Sequence, residues 1–506
     1  MDPKPQDVKR TKNGISYEKN GWLYVSVKGD PKERGYAYGF LIADEMKRIF
    51  EMLEFLVYQD TGNKWSHYID LGAQYLKPTI MEHFAEFYEE MEGFAEGCSA
   101  GGTKTNVDVI IAWNNYFSLT GYFVVPTVGA NGLASHKKVG EGGSGAVDRC
   151  SAFMVNGDYT HDGKIIMVHN DFANFTDGQY SRIVLDITPT KGHRILWQGI
   201  VGWIWSGSDY FVTSKGIMGT ETTIGGFNVF ENNYPISCRM RQAMQYGNTL
   251  DDYVDILVKG NSGDYACCWL FGDSNSNEIM SLELGLKYHK VDKTRNGYFI
   301  GFNAPYDPRI RNLECANTGF DDIRRHQGAR RVRLADLMDL HKGKIDVEIA
   351  KQIIADHYDV YLNKVNPCSR TVCSHYELDA REYMSQADRP KPYQPRGAIN
   401  GKVCDSTMAK NMSFVGIYGN SCGTPFYKDV FCREHREWAY LQPYLHDRLR
   451  QPWVKFTTTD NYESSPFASI FKSRSRSGRG SRNSVRRSRS GRLTLKKMNT
   501  SLKLQN

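Results

Sequence analysis

The chain has 506 residues, with 40% hydrophobic and 12% aromatic side chains and a formal net charge of +7. Its length allows two or three average domains or one large two-layer enzyme core, and its composition is that of a globular protein. No stretch reaches the roughly 18 to 20 consecutive apolar residues of a membrane span. The charged, proline-bearing first residues do not have the pattern of a secretory signal, so the compartment is left open.

The charge is distributed unevenly. Residues 461–506 carry 12 Lys and Arg and one acidic residue, Glu463, so they contribute +11 and leave −4 for the rest of the chain. Their Arg/Ser repeats lack the apolar residues that would offset the entropy of ordering, so we predict a disordered basic tail over residues 456–506. Contact with an anionic membrane or RNA is one interpretation of this tail. A solubilising appendage without a dedicated partner fits the composition equally well.

The eleven cysteines are an odd number, scattered along a long chain, and do not have the pattern of a disulfide framework. Cys368 and Cys373 are spaced as a metal-binding pair, but a structural zinc would need a second matching pair and none with suitable spacing follows. We therefore interpret these residues as buried thiols and expect neither a metal nor another cofactor.

The element pattern changes along the chain. We set residues 1–31 apart as an N-terminal arm, and apolar residues recur at helical spacing from residue 32 to about 119, which predicts a helical N-terminal part over 32–149. From residue 151, apolar runs between Gly, Asp and Asn turns predict strands at 151–155, 164–168, 181–187, 194–201, 209–214, 216–224, 266–273, 278–285 and 297–303. Helical spacing predicts helices at 236–247, 250–260, 330–341, 346–358 and 433–449. Runs of strands followed by helices indicate an α+β fold with a catalytic core over 150–455.

A glycine-rich stretch, "GEGGSGAVDRC", leads into Cys150. A cysteine in a strand is usually part of a core. A peptide bond after such a flexible loop, however, can adopt strained conformations, so the Cys150 thiol could cut the bond that joins it to Arg149. The cut would make Cys150 a chain terminus, whose α-amine can act as the base for its own thiol.

Four further stretches carry a family resemblance: "CSAFMVNGDYTHDGKIIMVHNDF", "GWIWSGSDYFVTSKGIMGTETTIGGFN", "NSGDYACCWLFGD" and "GFNAPYDPRIRN". Together they resemble the phospholipase B-like branch of the N-terminal-nucleophile hydrolases and, more distantly, isopenicillin acyltransferase-like proteins and bile salt hydrolases. The similarity covers roughly residues 32–449. It implies a four-layer αββα sandwich and a precursor that cuts itself, here between Arg149 and Cys150.

The resemblance also implies site residues. Cys150 would be the nucleophile, Asp171 would orient the new α-ammonium, and His169 would stabilise the thiolate or donate to the leaving group. Asn303 matches an asparagine that helps to hold the tetrahedral intermediate, and Arg330 matches an arginine near the nucleophile, although the adjacent Arg331 leaves that register open. Expected substrate contacts are Asn170, Thr222, Thr223, Asn228 and Trp203.

Each of these residues also has a structural interpretation, as a core histidine, a turn asparagine, a solvated arginine, a good strand former or a core aromatic. Taken together, the residues predict an autoprocessed cysteine hydrolase that cleaves acyl esters and releases fatty acids from lipids. An amidase or acyltransferase acting on N-acyl substrates is the alternative among enzymes. A non-catalytic lipid- or RNA-binding protein is the alternative from another class, and the oligomeric state is left open.

Overall fold

The computed structural model describes residues 8–123, 150–316, 318–380 and 392–459. The described residues up to Thr459 belong to one compact unit. Arg149, the predicted cleavage partner, and all but the first four residues of the predicted tail lie outside the described part of the chain. Among the helices within these ranges, none is both long and apolar enough to cross a membrane.

Ten strands form the larger sheet. With strands and helices numbered in chain order, its members in spatial sequence are β1 (Lys9–Thr11), β2 (Gly14–Lys19), β3 (Trp22–Gly29), β6 (Ile183–Pro189), β7 (Ile195–Gly199), β8 (Tyr210–Thr213), β9 (Ile217–Thr223), β10 (Cys267–Asp273), β11 (Glu278–Leu284) and β12 (His289–Thr294). Strands β3 and β6 pair in parallel. The other neighbours in this sheet pair antiparallel.

Six strands form the second sheet, which is antiparallel. Their order is β13 (Gly297–Gly301), β4 (Cys150–Gly157), β5 (Gly163–Asn174), β16 (Arg396–Asp405), β17 (Ser413–Tyr418) and β18 (Val454–Thr457). A separate two-stranded ribbon consists of β14 (Tyr358–Asp359) and β15 (Lys364–Val365).

The helices group in three parts of the chain. Before the second sheet lie α1 (Pro31–Leu41), α2 (Ala43–Thr61), α3 (Trp65–Leu71), α4 (Lys77–His83), α5 (Ala85–Ala100), α6 (Val107–Asn114) and α7 (Tyr116–Tyr122), with a π-helical turn at Gly72–Leu76. The middle part holds α8 (Phe175–Gly178), α9 (Ile236–Tyr246), α10 (Leu250–Val258), α11 (Pro308–Leu313), α12 (His326–Leu340) and α13 (Val347–Ile354). The last part holds α14 (Ser406–Lys410), α15 (Lys428–Glu434) and 3-10 segments at Tyr376–Leu378 and Arg436–Tyr444.

Three buried clusters show how the elements pack. The largest joins the N-terminal helices, α9 and α10 to one set of side chains on the ten-stranded sheet. A second contains inward residues of both sheets, among them Trp22, Met154 and Leu270. A third joins the six-stranded sheet, through Phe153 and Val168, to α12 and α13. Because strand residues alternate between faces, each sheet contributes to two clusters.

Helices α1 and α5 pack at unusually short range. A Cβ atom added at Gly97 would lie 2.0 Å from the carbonyl oxygen of Tyr36, so the two backbones approach as only glycine allows. Arg34 of α1 donates to Glu90 of α5 at 2.7 Å, and Glu90 also accepts from Arg241 of α9 at 3.0 Å. This buried charge cluster fixes the helical part against the rest of the core, since a buried charge left unpaired is strongly unfavourable.

The structure confirms the α+β class and places a strand or a helix at most of the predicted positions. Two predictions differ, and some strands were not predicted. The segment set apart as an N-terminal arm supplies β1, β2 and β3 to the larger sheet. The helix expected over residues 433–449 is a short α-helix followed by a 3-10 segment that contains Pro443, which cannot donate an α-helical hydrogen bond. Strands β16 and β17 were not predicted at all.

Candidate active site

Cys150 is the first residue of β4, and it is almost completely buried between two neighbouring strands of the second sheet. Opposite it on β5 stands Asp171. On the other side, β13 ends at Gly301, and Asn303 follows at a positive φ of 69°. The Cys150 backbone nitrogen donates to Asn303 Oδ1 at 3.3 Å. That nitrogen is a peptide amide in the continuous chain, and it occupies the position that the α-amine of a cleaved chain would take.

Arg330 of α12 connects these groups. Its guanidinium donates to Asn303 Oδ1 at 2.8 Å, to Ser151 Oγ at 3.1 Å and to the Cys150 carbonyl oxygen. The neighbouring Arg331 instead donates to the Phe320 carbonyl oxygen and to Asp321. Of the two arginines that the sequence left open, Arg330 is therefore the one beside Cys150.

The side chain of Asn303 has a different position from the one the resemblance implied. Its amide nitrogen donates to the Thr223 carbonyl oxygen at 2.7 Å, while its oxygen accepts from Cys150 and Arg330. The donor that would hold a tetrahedral intermediate is thus engaged with the protein. In this geometry Asn303 orients the Cys150 nitrogen.

The Cys150 thiol faces a carboxyl group that the sequence analysis did not select. Its Sγ lies 3.4 Å from Glu221 Oε1, on β9 of the larger sheet. Tyr265 donates to the same oxygen at 3.2 Å. Burial, followed by the nearby Asp209, raises the pKa of Glu221 to about 8. Burial, with Glu221 and Asp171 adding to it, raises the pKa of the Cys150 thiol well above its usual value, so the thiol of the uncut chain is neutral.

His169 lies beside the thiol, on β5. One of its ring nitrogens, Cys150 Sγ and a Glu221 oxygen are all within 4.8 Å of one another. Burial, and then the positive charge of Lys402, lowers the pKa of His169 well below its usual value. A neutral imidazole cannot stabilise a thiolate by charge, but its N–H can donate to a leaving group, which is the second role that the resemblance implies. A protonated Glu221 and a nearby ammonium also make this cluster a poor cation site.

A second buried basic residue of the site, besides Arg330, is Lys402 of β16, which pairs with His169 across the sheet. Its Nζ donates to Gln198 Oε1 at 2.7 Å and to Asn400 Oδ1 at 2.6 Å. Burial lowers the pKa of Lys402 to about 8, although Asp171, Cys150 and Glu221 act to raise it. Lys402 therefore compensates part of the negative charge around the thiol.

Asp171 is held by short hydrogen bonds. Its Oδ2 accepts from Ser181 Oγ at 2.6 Å and from Asn400 Nδ2 at 3.3 Å. A narrow cleft with a free volume of only about 20 Å³ reaches Asp171, Ser181 and Glu221. Aromatic side chains from α6, α7 and the turn before β10 form one wall, namely Trp113, Tyr116, Phe117 and Tyr265.

The five predicted substrate contacts take up different positions. Thr223 lies beside Glu221, with their side-chain oxygens 3.3 Å apart, and Thr222 packs close to Gly301 of β13. Trp203 stands behind the cleft wall, 5.0 Å from Phe117 between ring centroids. Asn228 is exposed. Asn170 points to the opposite face of β5 from Asp171 and donates to the carbonyl oxygens of Ile354 and Val372.

A family model described as Phospholipase B matches residues 165–456. A protein named Phospholipase B from Crotalus adamanteus is 26% identical over 258 residues, which cover 46% of this chain and 44% of that protein. Putative phospholipase B-like 2 of Mus musculus is 22% identical over 258 residues, covering 45% and 43%. An uncharacterized protein of Archaeoglobus fulgidus is 24% identical over 264 residues, covering 51% and 42%.

The matched range runs from β5 to β18 and takes in β6 to β12 of the larger sheet and all of the second sheet except β4, so the matched part is of the mixed α+β class. The range is more than half of the chain, and the chain belongs to the phospholipase B family. This confirms the family that the sequence motifs indicate. The match includes Asp171, Asn303 and Arg330 but begins after Cys150. The matched segments span less than half the length of these relatives.

Proposed function

We propose that the chain is a cysteine hydrolase that activates itself by cutting the bond before Cys150 and then releases fatty acids from phospholipid esters. The observation that carries the proposal is the placement of one residue: the Cys150 nitrogen contacts Asn303 while the Cys150 thiol contacts Glu221. The thiol that would attack and the nitrogen that would become the α-amine thus belong to one buried residue. The packing of helices, two sheets and further helices supports an αββα sandwich of the N-terminal-nucleophile type.

In the uncut chain, the carboxylate form of Glu221, whose share grows as the pH rises toward the pKa of about 8, is placed to receive the thiol proton, since Oε1 lies 3.4 Å from Sγ. The thiolate attacks the carbonyl carbon of Arg149, the bond to the Cys150 nitrogen breaks, and that nitrogen takes the proton from Glu221 and leaves as an amine. Water then hydrolyses the thioester. The products are a free carboxylate at residue 149 and a Cys150 that carries both thiol and α-amine.

In the cut chain, the α-amine of Cys150 takes the thiol proton, and an amine with a pKa near ~8 is suited to this task. The thiolate attacks the acyl carbon of the ester, and the ammonium protonates the departing alkoxide. A water molecule, deprotonated by the same amine, hydrolyses the thioester and releases the fatty acid. Asn303 and Asp171 orient the amine, and Arg330 fixes Asn303.

The name of the Crotalus adamanteus relative and the aromatic wall of the cleft support a lipid substrate. The cleft as described is too narrow for an acyl chain, so we propose that it widens on binding. An N-acyl amide would meet the same nucleophile, and only the leaving group would differ.

Substitution of Cys150 tests the proposal. We expect the wild-type chain of 57.6 kDa to give fragments of about 17 and 41 kDa that stay associated, and to release fatty acid from phospholipid. Cys150→Ala should neither cut nor turn over substrate, whereas Cys150→Ser can still cut because a hydroxyl can attack the same carbonyl. Cys98→Ala, which removes another buried thiol, is the matched control and should behave as wild type.

Intact-mass spectrometry and fatty-acid release measure these outcomes, with a phospholipid and an N-acyl amide as parallel substrates. Fatty-acid release by Cys150→Ala at the wild-type rate would make Cys150 a core cysteine. A wild-type chain that stays uncut after prolonged incubation at acid, neutral and mildly alkaline pH would remove the self-cleavage step. Reaction with the amide alone would identify an amidase, and no reaction with any acyl donor from acid to neutral pH would favour a binding protein.

A further inference from the structure

A second cluster of nucleophilic side chains lies away from the Cys150 thiol. It consists of His357, Cys373, His375 and Cys422, whose ligand atoms are all within 4.8 Å of one another. Cys373 and His375 are buried, and His357 and Cys422 are half-buried. The proposed hydrolase mechanism uses none of them.

The distances in this cluster are those of a tetrahedral metal site. His375 Nε2 lies 3.1 Å from His357 Nε2, 3.5 Å from Cys373 Sγ and 3.5 Å from Cys422 Sγ. Zinc bonds of about 2.3 Å to sulfur and about 2.0–2.1 Å to nitrogen, arranged tetrahedrally, separate two nitrogens by ~3.3 Å and a nitrogen from a sulfur by ~3.6 Å. Hydrogen bonding alone does not explain the arrangement, because one ring nitrogen faces three polar atoms and holds one lone pair or one proton.

A carboxylate fixes the ring of His375. Its Nδ1 lies 2.8 Å from Glu377 Oε1, so the proton sits on Nδ1 and the lone pair of Nε2 points into the cluster. A carboxylate that accepts from the far nitrogen of a ligating histidine is the usual outer partner in zinc sites. Two more polar groups face the Cys422 sulfur: Thr424 Oγ1 lies 3.1 Å away and can donate to a thiolate, whereas Asn420 Oδ1, at 3.3 Å, accepts from the thiol and would have to turn its amide when zinc binds.

The backbone around the cluster is built to hold the ligands. The Cys373 nitrogen donates to the Asp356 carbonyl oxygen at 3.1 Å, and the His375 nitrogen donates to the Cys368 carbonyl oxygen at 3.0 Å. Ser374 accepts a hydrogen bond from Ala398 of β16. These bonds hold the segment that carries His357, Cys373 and His375. The fourth ligand, Cys422, lies in the loop after β17.

We propose that His357, Cys373, His375 and Cys422 form a structural zinc site that fastens residues 356–379 to the loop after β17. Four protein ligands fill a tetrahedron and leave no position for a substrate, which is the pattern of a structural site. Asn170 joins the same two segments: it donates to Val372 and accepts from Ser421. The site thus supports β5 from the face opposite the thiol of Cys150.

Cys368 and Cys373 are both buried thiols, as the sequence predicts, and the proposed site uses only Cys373. Cys368 Sγ lies 3.6 Å from Asp359 Oδ2 and is not part of the cluster. The matching ligand, Cys422, is 47 residues from His375. A ligand at this distance along the chain cannot be recognised from a short spacing motif.

Metal analysis of the full chain, purified with a reductant and without added chelator, tests the proposal. We expect about one zinc per chain, released when the thiols are titrated with a mercurial. Cys373→Ser and Cys422→Ser should lose the metal. Cys368→Ser removes a buried thiol from the same segment and should keep it, while Glu377→Gln should keep the ligands and weaken zinc affinity about 10- to 100-fold.

Replacement of zinc by Co²⁺ in the wild-type chain gives a readout that needs no variant to fold. Tetrahedral thiolate coordination should produce intense d–d absorption and a sulfur-to-cobalt charge-transfer band, both preserved in Cys368→Ser. The proposal is overturned if the wild-type chain binds neither metal, or if Cys373→Ser and Cys422→Ser bind zinc as wild type does. A Cys373–Cys422 disulfide, or a metal-free Cys422 that alkylates rapidly beside His375, would overturn it as well.

Discussion

Asn303 shows at the scale of one residue how the site is ordered. Its backbone is held at a φ of 69°, a region that asparagine tolerates better than most residues. Its side chain meets Cys150, Arg330 and Thr223. With all three contacts made, the amide cannot turn over without losing hydrogen bonds, and the Cys150 nitrogen keeps one orientation.

Arg330 should not tolerate replacement by lysine. Its planar fork reaches Asn303, Ser151 and the Cys150 carbonyl at once, whereas an ammonium cannot reproduce this geometry. We expect Arg330→Lys to slow both self-cleavage and fatty-acid release by about 10²-fold, as for a lost positioning contact. Arg331→Lys is the control and should leave both rates near wild type. Equal rates in the two variants would show that Arg330 has no positioning role.

Glu221 should make the chain less stable as the pH rises. Its pKa is about 8 in the folded chain and about 4.5 when exposed, so the unfolded chain binds fewer protons between these values and unfolding becomes easier. Glu221→Gln, made with Cys150→Ala so that both chains stay uncut, should remove part of this loss. Between pH ~5 and ~7.5, we expect the free energy of unfolding of the double variant to fall by about 3 kcal/mol less than that of the Cys150→Ala parent.

Urea unfolding at the two pH values measures this difference. Glu54→Gln is the control, because it makes the same chemical change at an exposed position of α2 and should leave the pH dependence of the stability unchanged. A Glu221→Gln chain with the parent's pH dependence would mean that the carboxyl is ionised in the folded state throughout this range.

Part of the site could be predicted from sequence and part could not. Cys150, Asp171, Asn303 and Arg330 lie in recognisable motifs, and the structure brings them together. Glu221 lies in the quoted stretch that ends in "GTETTIGGFN" but was passed over for its threonines, and Lys402 lies in none of the quoted stretches, since acidic and basic residues are normally exposed. Their burial follows from strand pairing, which places Lys402 opposite His169, and from the packing of β9 over the thiol.

At the scale of elements, the strands with alternating or continuous apolar residues were predictable, whereas β16 was not. Its sequence, "RGAINGKVCD", contains two glycines, an arginine, an asparagine and a lysine. It is nevertheless almost wholly buried, because it runs through the middle of the six-stranded sheet, where Lys402 donates to Asn400 and Gln198. Strand propensities reflect the apolar surroundings in which most strands pack. The surroundings of β16 are polar, so its sequence does not match these propensities.

The close packing of α1 and α5 gives a prediction about stability. Gly97→Ala should destabilise the fold by about 2 kcal/mol or more, because the new methyl group would lie 2.0 Å from the Tyr36 carbonyl oxygen and the helices would have to separate. Gly121→Ala, in α7, meets nothing within 4 Å. It should change stability by no more than about 1 kcal/mol, in the stabilising direction. Denaturant unfolding compares the two, and equal effects would contradict the close approach.

At the scale of the whole molecule, the helical N-terminal part is integral to the core. Its side chains share the largest apolar cluster with the ten-stranded sheet, and Trp113, Tyr116 and Phe117 form a wall of the cleft. If the chain is cut before Cys150, the packed helices between residues 32 and 123 should therefore stay with the core and not be released.

The basic segment from Asn461 to Asn506 gives a prediction that rests on charge alone. We propose that it binds anionic membranes, and we expect its deletion to leave fatty-acid release intact while vesicle binding falls. Binding of the full chain should weaken steeply with salt, because each basic residue near such a surface contributes about 1 kcal/mol. Sedimentation with phosphatidylserine vesicles measures this, with neutral vesicles as the control. Equal binding without the segment would favour a solubilising appendage, and RNA binding in place of vesicle binding would identify a different partner.

The parallel pairing of β3 with β6 determines whether the two parts of the chain can be produced separately. It runs from Leu23 beside Ile183 to Gly29 beside Pro189, and β3 belongs to the segment before the proposed cut. A core produced from residue 150 onward would leave β6 as an open strand edge with a largely apolar sequence, "IVLDITP". Such an edge pairs readily with other chains. By covering this strand edge, the N-terminal segment protects the sheet against aggregation. The two parts of the chain should therefore be expressed together as one precursor.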